Sequence, residues 1–376
     1  MSTLESNKFR VTGRFEDVKK VYDPNSTAYP NSKLDAYGFL GGKYNTNYDV
    51  HLQRSDSYCG FKSIQGQSTC EHVSTCFETF ESENDLYAWD MCMEQKVHAN
   101  LHTMHAGQWD CAVSWQEYFS ANKEWVDPLL LSILGLNVPV GTDMASNEGY
   151  VTCSAASSCH LGGSCGCTSA IRGVSSADDV DALSFDDTFE KTQAFWQYIH
   201  EDALQGSEWV VYRENYHGFS KAYVPLDRSR KEMRKAQFDS LNKLLFKTIL
   251  FTGKLGHMVS GAAAEDPLFW VMHQVFDKAF HALVLSPRYN KHGFTWNNAD
   301  GFLQWNGTAG TTVFKAEAFE PWLGKTDLAK ATNSASGDFL TNQELWALLH
   351  PHSNAIPYVY DQMTTWGDCS FDPLGN

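Results

Sequence analysis

The sequence predicts a mainly α-helical protein, with helices dominating residues 82–285 and strands, long loops and disulfides around them. Three observations carry this reading. From Ser82 to Gln108, Leu86, Tyr87, Trp89, Met91, Met93 and Val97 recur at helical spacing. Ser184 stands before Phe185, Phe189, Phe195 and Tyr198, a capped helix with its apolar residues on one face. Asp266-Pro267 opens a third run, in which proline at the first helical position needs no amide donor and aspartate caps the amides that follow.

In chain order, residues 1–81 scatter Gly, Asn, Ser and Tyr without helical period, so an irregular, disulfide-bearing region with short strands is expected there. Residues 82–362 form the expected core, with a Cys-rich insert near 150–175, and 363–376 a C-terminal tail. Within the core, the apolar run Leu129–Leu136 reads as a buried helix or strand. Residues 175–245 read as mostly helical, and Arg230–Phe251 as an amphipathic packing helix. The insert, Cys153, Cys159, His160, Cys165 and Cys167, fits a disulfide-stapled loop, with a Cys/His zinc knot as the alternative.

Composition narrows function and compartment. A net charge of −16 with no basic block argues against nucleic acid and anionic membrane surfaces. No apolar run approaches the roughly 18 residues of a membrane helix. The polar opening Met1–Lys8 lacks the apolar core of a secretory leader. The ten cysteines, with the sequons at Asn25 and Asn306, nevertheless favour an extracellular or secretory-lumen, glycosylated protein.

The histidines carry the chemistry. His98 and His102 lie one helical turn apart and can bind one ion from successive turns. His105 shares their face, but two turns separate it from His98, roughly 10 Å by helix rise. Ala99 stands where a zinc protease carries its general base, which argues against that class. Three partly exposed histidines near a helix end is the plainer alternative. His273 lies on the third helix, where a buried imidazole must be paired, neutral or metal-bound. The residues alone leave two readings of it: a core histidine hydrogen-bonded to Asp277, or a metal ligand.

The string Asp266-Pro267-Leu268-Phe269-Trp270-Val271-Met272-His273, closed by Asp277, resembles the second copper signature of the tyrosinase, catechol oxidase and molluscan haemocyanin family. In that family the histidine binds one of two coppers and a second histidine often precedes it; here that neighbour is Met272. His98-Ala99-Asn100-Leu101-His102 is similar to the family's H-N-x-x-H helix, which supplies two more ligands to the same copper. The stretch His217 to Arg228 resembles the first copper signature, with His200 as first ligand and His217 as second. Asp227 and Leu226 depart from it, standing where a third histidine and a tryptophan belong. His51, His160, His257 and His281 stay open as the missing ligand. Gly256-His257-Met258 resembles the G-G-x-M element, although counting back from it gives Lys247 and Phe251 where a histidine pair is expected. Cys70-Glu71-His72 resembles the cysteine cross-linked to a copper histidine in some members, and Tyr358-Val359-Tyr360 the Tyr-x-Tyr element that closes the core.

Motif order departs from the family, because the His98/His102 helix precedes the His200/His217 segment. A permuted or tandem-derived arrangement would place His98, His102 and His273 around one copper; otherwise one of the two matches is chance. The resemblance implies a four-helix copper-binding bundle and two copper ions. It also implies a function: binding dioxygen and oxidising a small phenol or catechol to the quinone, with oligomerisation open. Neutral imidazoles stabilise both copper oxidation states, which is why such a site is built from histidines. Met272, Asp227, Lys247 and Phe251 point to a second reading, a copper-depleted structural or interaction protein with the same fold. A haemocyanin-like oxygen carrier is the third.

Overall fold

The computed structural model describes residues 10–11, 34–35, 38–39, 51–62, 70–83, 86–153, 167–203, 206–259, 263–289, 312–315, 339–341, 350–352, 360 and 371–374. Both sequons, His160, Tyr358, most of the Cys-rich insert and most of the C-terminal tail lie outside these residues. Among the described residues, helix outweighs strand by 57% to 14%, as a mainly α class requires. The helices are α1 (Cys70–Glu83), α2 (Leu86–Met93), α3 (Ala99–Ala106), α4 (Trp115–Asn122), α5 (Pro128–Asn147), α6 (Ala177–Asp181), α7 (Phe185–Glu201), α8 (Lys235–Leu250) and α9 (Pro267–Leu285). A π-helical turn, Glu94–His98, joins α2 to α3.

Two compact units divide the chain: residues 1–67 with 99–272, and residues 68–98 with 273–376. The first unit is built on α5, α7 and α8, which pack on one another. Trp115, Phe189, Trp196, Phe238 and Phe246 fill its core. Buried polar pins fix the register of these helices. Asn242 Oδ1 accepts from Thr192 Oγ1 at 2.6 Å and Trp196 Nε1 at 2.9 Å, and Tyr198 Oη donates to Asn137 Oδ1 at 3.1 Å. Each satisfies a group that would otherwise cost its desolvation. Asp127 caps α5 and Ser184 caps α7, the latter accepting from the Asp187 amide at 3.1 Å as its sequence position predicts. The Cys59–Cys111 disulfide closes the segment before α4.

The structure corrects three local expectations. Residues 210–225 are a β-hairpin, β4 (Val210–Tyr216) with β5 (Phe219–Pro225), inside the stretch expected to be helical. Its two-residue turn, His217-Gly218, has positive φ at both positions, 47° and 94°, which matches the twist of paired strands. The Leu129–Leu136 run belongs to a 20-residue helix that is by length and composition apolar enough to cross a membrane, contrary to the sequence expectation. That helix is 67% buried within its unit, the state of a core helix. Residues 70–83 are helical rather than irregular, because Val73, Phe77 and Phe80 repeat at helical spacing and are buried.

The second unit packs α1 and α2 with the later part of α9. Val73, Phe77, Phe80, Trp89, Met93 and Val97 meet Ala279, Ala282 and Leu283. Full burial of such side chains contributes about 1.5–3 kcal/mol each. Cys76–Cys92 staples α1 to α2. Cys70 and Cys167 are also disulfide-bonded, and among the described residues no cysteine is free. These bonds are compatible with an oxidising compartment.

Candidate metal centre

The start of α9 forms as its sequence dictates. Asp266 Oδ1 accepts from the Leu268 amide at 2.9 Å, and Pro267 occupies the first helical position. At the start of the helix Met272 is buried, whereas Trp270 and Val271 are 58% and 59% exposed. The Trp270 indole folds back to donate to the Ala264 carbonyl at 3.1 Å.

Two uninterrupted helical segments carry the candidate ligands. In the second unit, His98 ends the π turn and its Nε2 lies 2.7 Å from His273 Nε2. The Phe276 ring stands 5.0 Å from His98, edge-on. His98 Nδ1 donates to Glu94 Oε2 at 2.7 Å. In the first unit, His102 Nδ1 donates to the Met258 carbonyl at 2.5 Å, and its ring meets Phe269 at 5.7 Å. The two-stranded ladder β1 (Gln108–Trp109) with β6 (Lys254–Leu255) brings residues 254–258 alongside the end of α3 and so sets that carbonyl. A carboxylate and a carbonyl can only accept, so both histidines carry their proton on Nδ1 and present an Nε2 lone pair.

Within the second unit, His98 and His273 thus bring two ligand-type ring nitrogens to 2.7 Å of each other. Imidazoles whose outer nitrogens are occupied, as those of His98 and His102 are, suit a transition metal such as copper or zinc. Tetrahedral coordination at about 2.0–2.1 Å separates ligand nitrogens by roughly 3.3 Å, against the 2.7 Å between the His98 and His273 nitrogens.

The other sequence candidates sit elsewhere. His200, at the end of α7, donates from Nδ1 to the Val210 carbonyl at 2.8 Å, with its ring 5.4 Å from Tyr223. His217 is the first residue of the hairpin turn, against Tyr216. The two lie at opposite ends of α7, His200 by Val210 and His217 by Phe185. Asp227 Oδ1 accepts from the Ser229 and Lys231 amides, so it builds the turn after the hairpin. Lys247 pairs with Asp181 at 2.7 Å. His257 is buried, its Nδ1 accepting from the Gln53 amide at 2.8 Å. Asp277 takes the Tyr360 hydroxyl at 2.6 Å and lies 3.7 Å from His281 Nε2.

Two charged arrangements escaped the sequence reading. Glu94 was visible only as a carboxylate four residues before His98. Arg54 Nε lies 3.3 Å from Asp266 Oδ2, a contact outside hydrogen-bond geometry, since that buried oxygen has no hydrogen-bond partner. Burial holds the His105 imidazole below its ordinary pKa, and Arg54 adds to this while Asp266 opposes it. No family model, curated protein or solved structure matches the chain.

Proposed function

We propose that the protein is a copper-dependent oxidase of phenols or catechols, in which His98, His102 and His273 hold an ion through their Nε2 atoms. The four-helix copper bundle of the tyrosinase-type family is the architecture this reading adopts. The observation that carries it is the 2.7 Å approach of the His98 and His273 ring nitrogens within the second unit, on histidines that the copper-like motifs supply. Bound copper would supply the redox chemistry with dioxygen: two catechols and one dioxygen give two quinones and two waters. The chain's own part is to hold the ligands. Glu94 and the Met258 carbonyl keep the protons of His98 and His102 on the outer nitrogens. Phe269 and Phe276 wall the rings with apolar surface and limit water there.

One observation favours a second reading, a copper-free protein of the same fold. The direct contact between His98 Nε2 and His273 Nε2 is a hydrogen bond that satisfies both rings without an ion. Metal analysis of the purified chain, followed by copper titration and assay of quinone formation from catechol in air, separates the readings. Bound copper that His273→Ala abolishes, with quinone formation, supports the oxidase. Copper without turnover supports an oxygen carrier, and failure to bind copper supports the copper-free protein.

A further inference from the structure

We infer that Glu94 is the positioning residue of the centre, fixing His98 in the tautomer that turns its Nε2 lone pair toward His273. The inference rests on the metal-site reading above for its purpose, but its geometry lies wholly within the second unit. Glu94 and His98 are the first and last residues of the π-helical turn, a rare widening of the helix that recurs at functional sites. Glu94 Oε2 stands 2.7 Å from His98 Nδ1, and the opposite ring nitrogen stands 2.7 Å from His273 Nε2. The imidazole is therefore held at both ends. Its side chain is 16% exposed against 46% for Glu94, so the carboxylate forms the outer layer and the ring the inner one.

An ionised carboxylate offers only acceptors, so the Nδ1 proton is the one arrangement that uses the contact. The bond is charge-assisted and makes the far nitrogen a stronger donor to a metal. His102 has the weaker arrangement, a neutral carbonyl at its Nδ1. His98 thus has an anionic partner at its Nδ1.

The test uses the full chain with Glu94→Ala and Glu94→Gln, read first without metal. Nitrogen-15 correlation spectra of the histidine rings report the His98 tautomer directly. The wild type is expected to show the Nδ1–H form, Glu94→Ala to lose it, and Glu94→Gln to retain it, because the amide oxygen still accepts. Copper titration against a competing chelator is then expected to show a 10–100-fold loss of affinity in Glu94→Ala, the range for removal of such partners, and partial rescue in Glu94→Gln. An Nε2–H tautomer in the wild type, or a Glu94→Ala protein that binds copper as tightly as wild type, overturns the inference. A wild type that binds no copper sinks the metal-site reading instead, and the tautomer spectra still decide what Glu94 does to His98.

Discussion

Replacing Asp266 should separate the helix cap from the ion pair at the start of α9. The side chain is 0% exposed and works in two directions: Oδ1 accepts from the Leu268 amide at 2.9 Å, and Oδ2 lies 3.3 Å from Arg54 Nε. Loss of a cap costs about 1–2 kcal/mol, and burial places this one toward the upper figure. Arg54 is 31% exposed, so it regains water when its partner goes, and the pairing is worth about 0–1 kcal/mol. Asp266→Asn keeps an acceptor for the cap and removes the cost of a buried charge, so its net effect should stay within about 1 kcal/mol. Asp266→Ala loses both functions and should cost about 2 kcal/mol. Urea unfolding of both variants, with Arg54→Met to complete a double-mutant cycle, measures these quantities. An asparagine variant as unstable as the alanine one, or an Arg54–Asp266 coupling above about 3 kcal/mol, would refute the argument and make the ion pair the chief restraint.

Two further outcomes are expected. Gly107 ends α3 with its amide on the Thr103 carbonyl and φ at +64°, and a Cβ there would overlap the Ser55 backbone. Gly107→Ala should therefore cost at least about 2 kcal/mol, whereas Gly149→Ala, at φ +76° in open space, should cost about 1 kcal/mol; equal midpoints for the two would contradict this. Stability should depend on pH through two groups of opposite sign. Asp90 is raised from 3.8 to about 6, so its contribution is fully present below 3.8 and lost as pH rises through about 6; Asp90→Asn should flatten that slope. His105 lies below 6.5 through burial, so its neutral form is favoured and stability falls as pH drops below 6.5; His105→Gln should flatten the acid limb. Unfolding midpoints from pH 4 to 8 read both slopes.

Local signals were legible in the sequence where a single residue type does a single job. Asp266-Pro267 and Ser184 mark helix starts because capping is a nearest-neighbour interaction, and both caps are formed. The pairing of Val210–Tyr216 with Phe219–Pro225 was read as helix because Phe and Tyr fit either element, and the deciding feature was the two-residue turn. The His98/His102 spacing was readable, since it needs only helical geometry. The meeting of His98 with His273 was suggested by motif resemblance alone, because no local rule couples residues 175 positions apart. The π turn left no trace in composition, and Arg54 lies too far from Asp266 in the chain for spacing to join them.

That separation of His98 from His273 gives the pair a mechanical meaning. Two rings 2.7 Å apart close a loop of 175 positions. Closing such a loop costs on the order of 4–5 kcal/mol of chain entropy, which the packing of α1 and α2 on the later part of α9 offsets. An ion shared by the two rings would act as a removable clasp, in the manner of a disulfide that a chelator can undo. Metal binding would then be felt along the whole intervening chain, and resistance to unfolding would rise and fall with the supply of free metal.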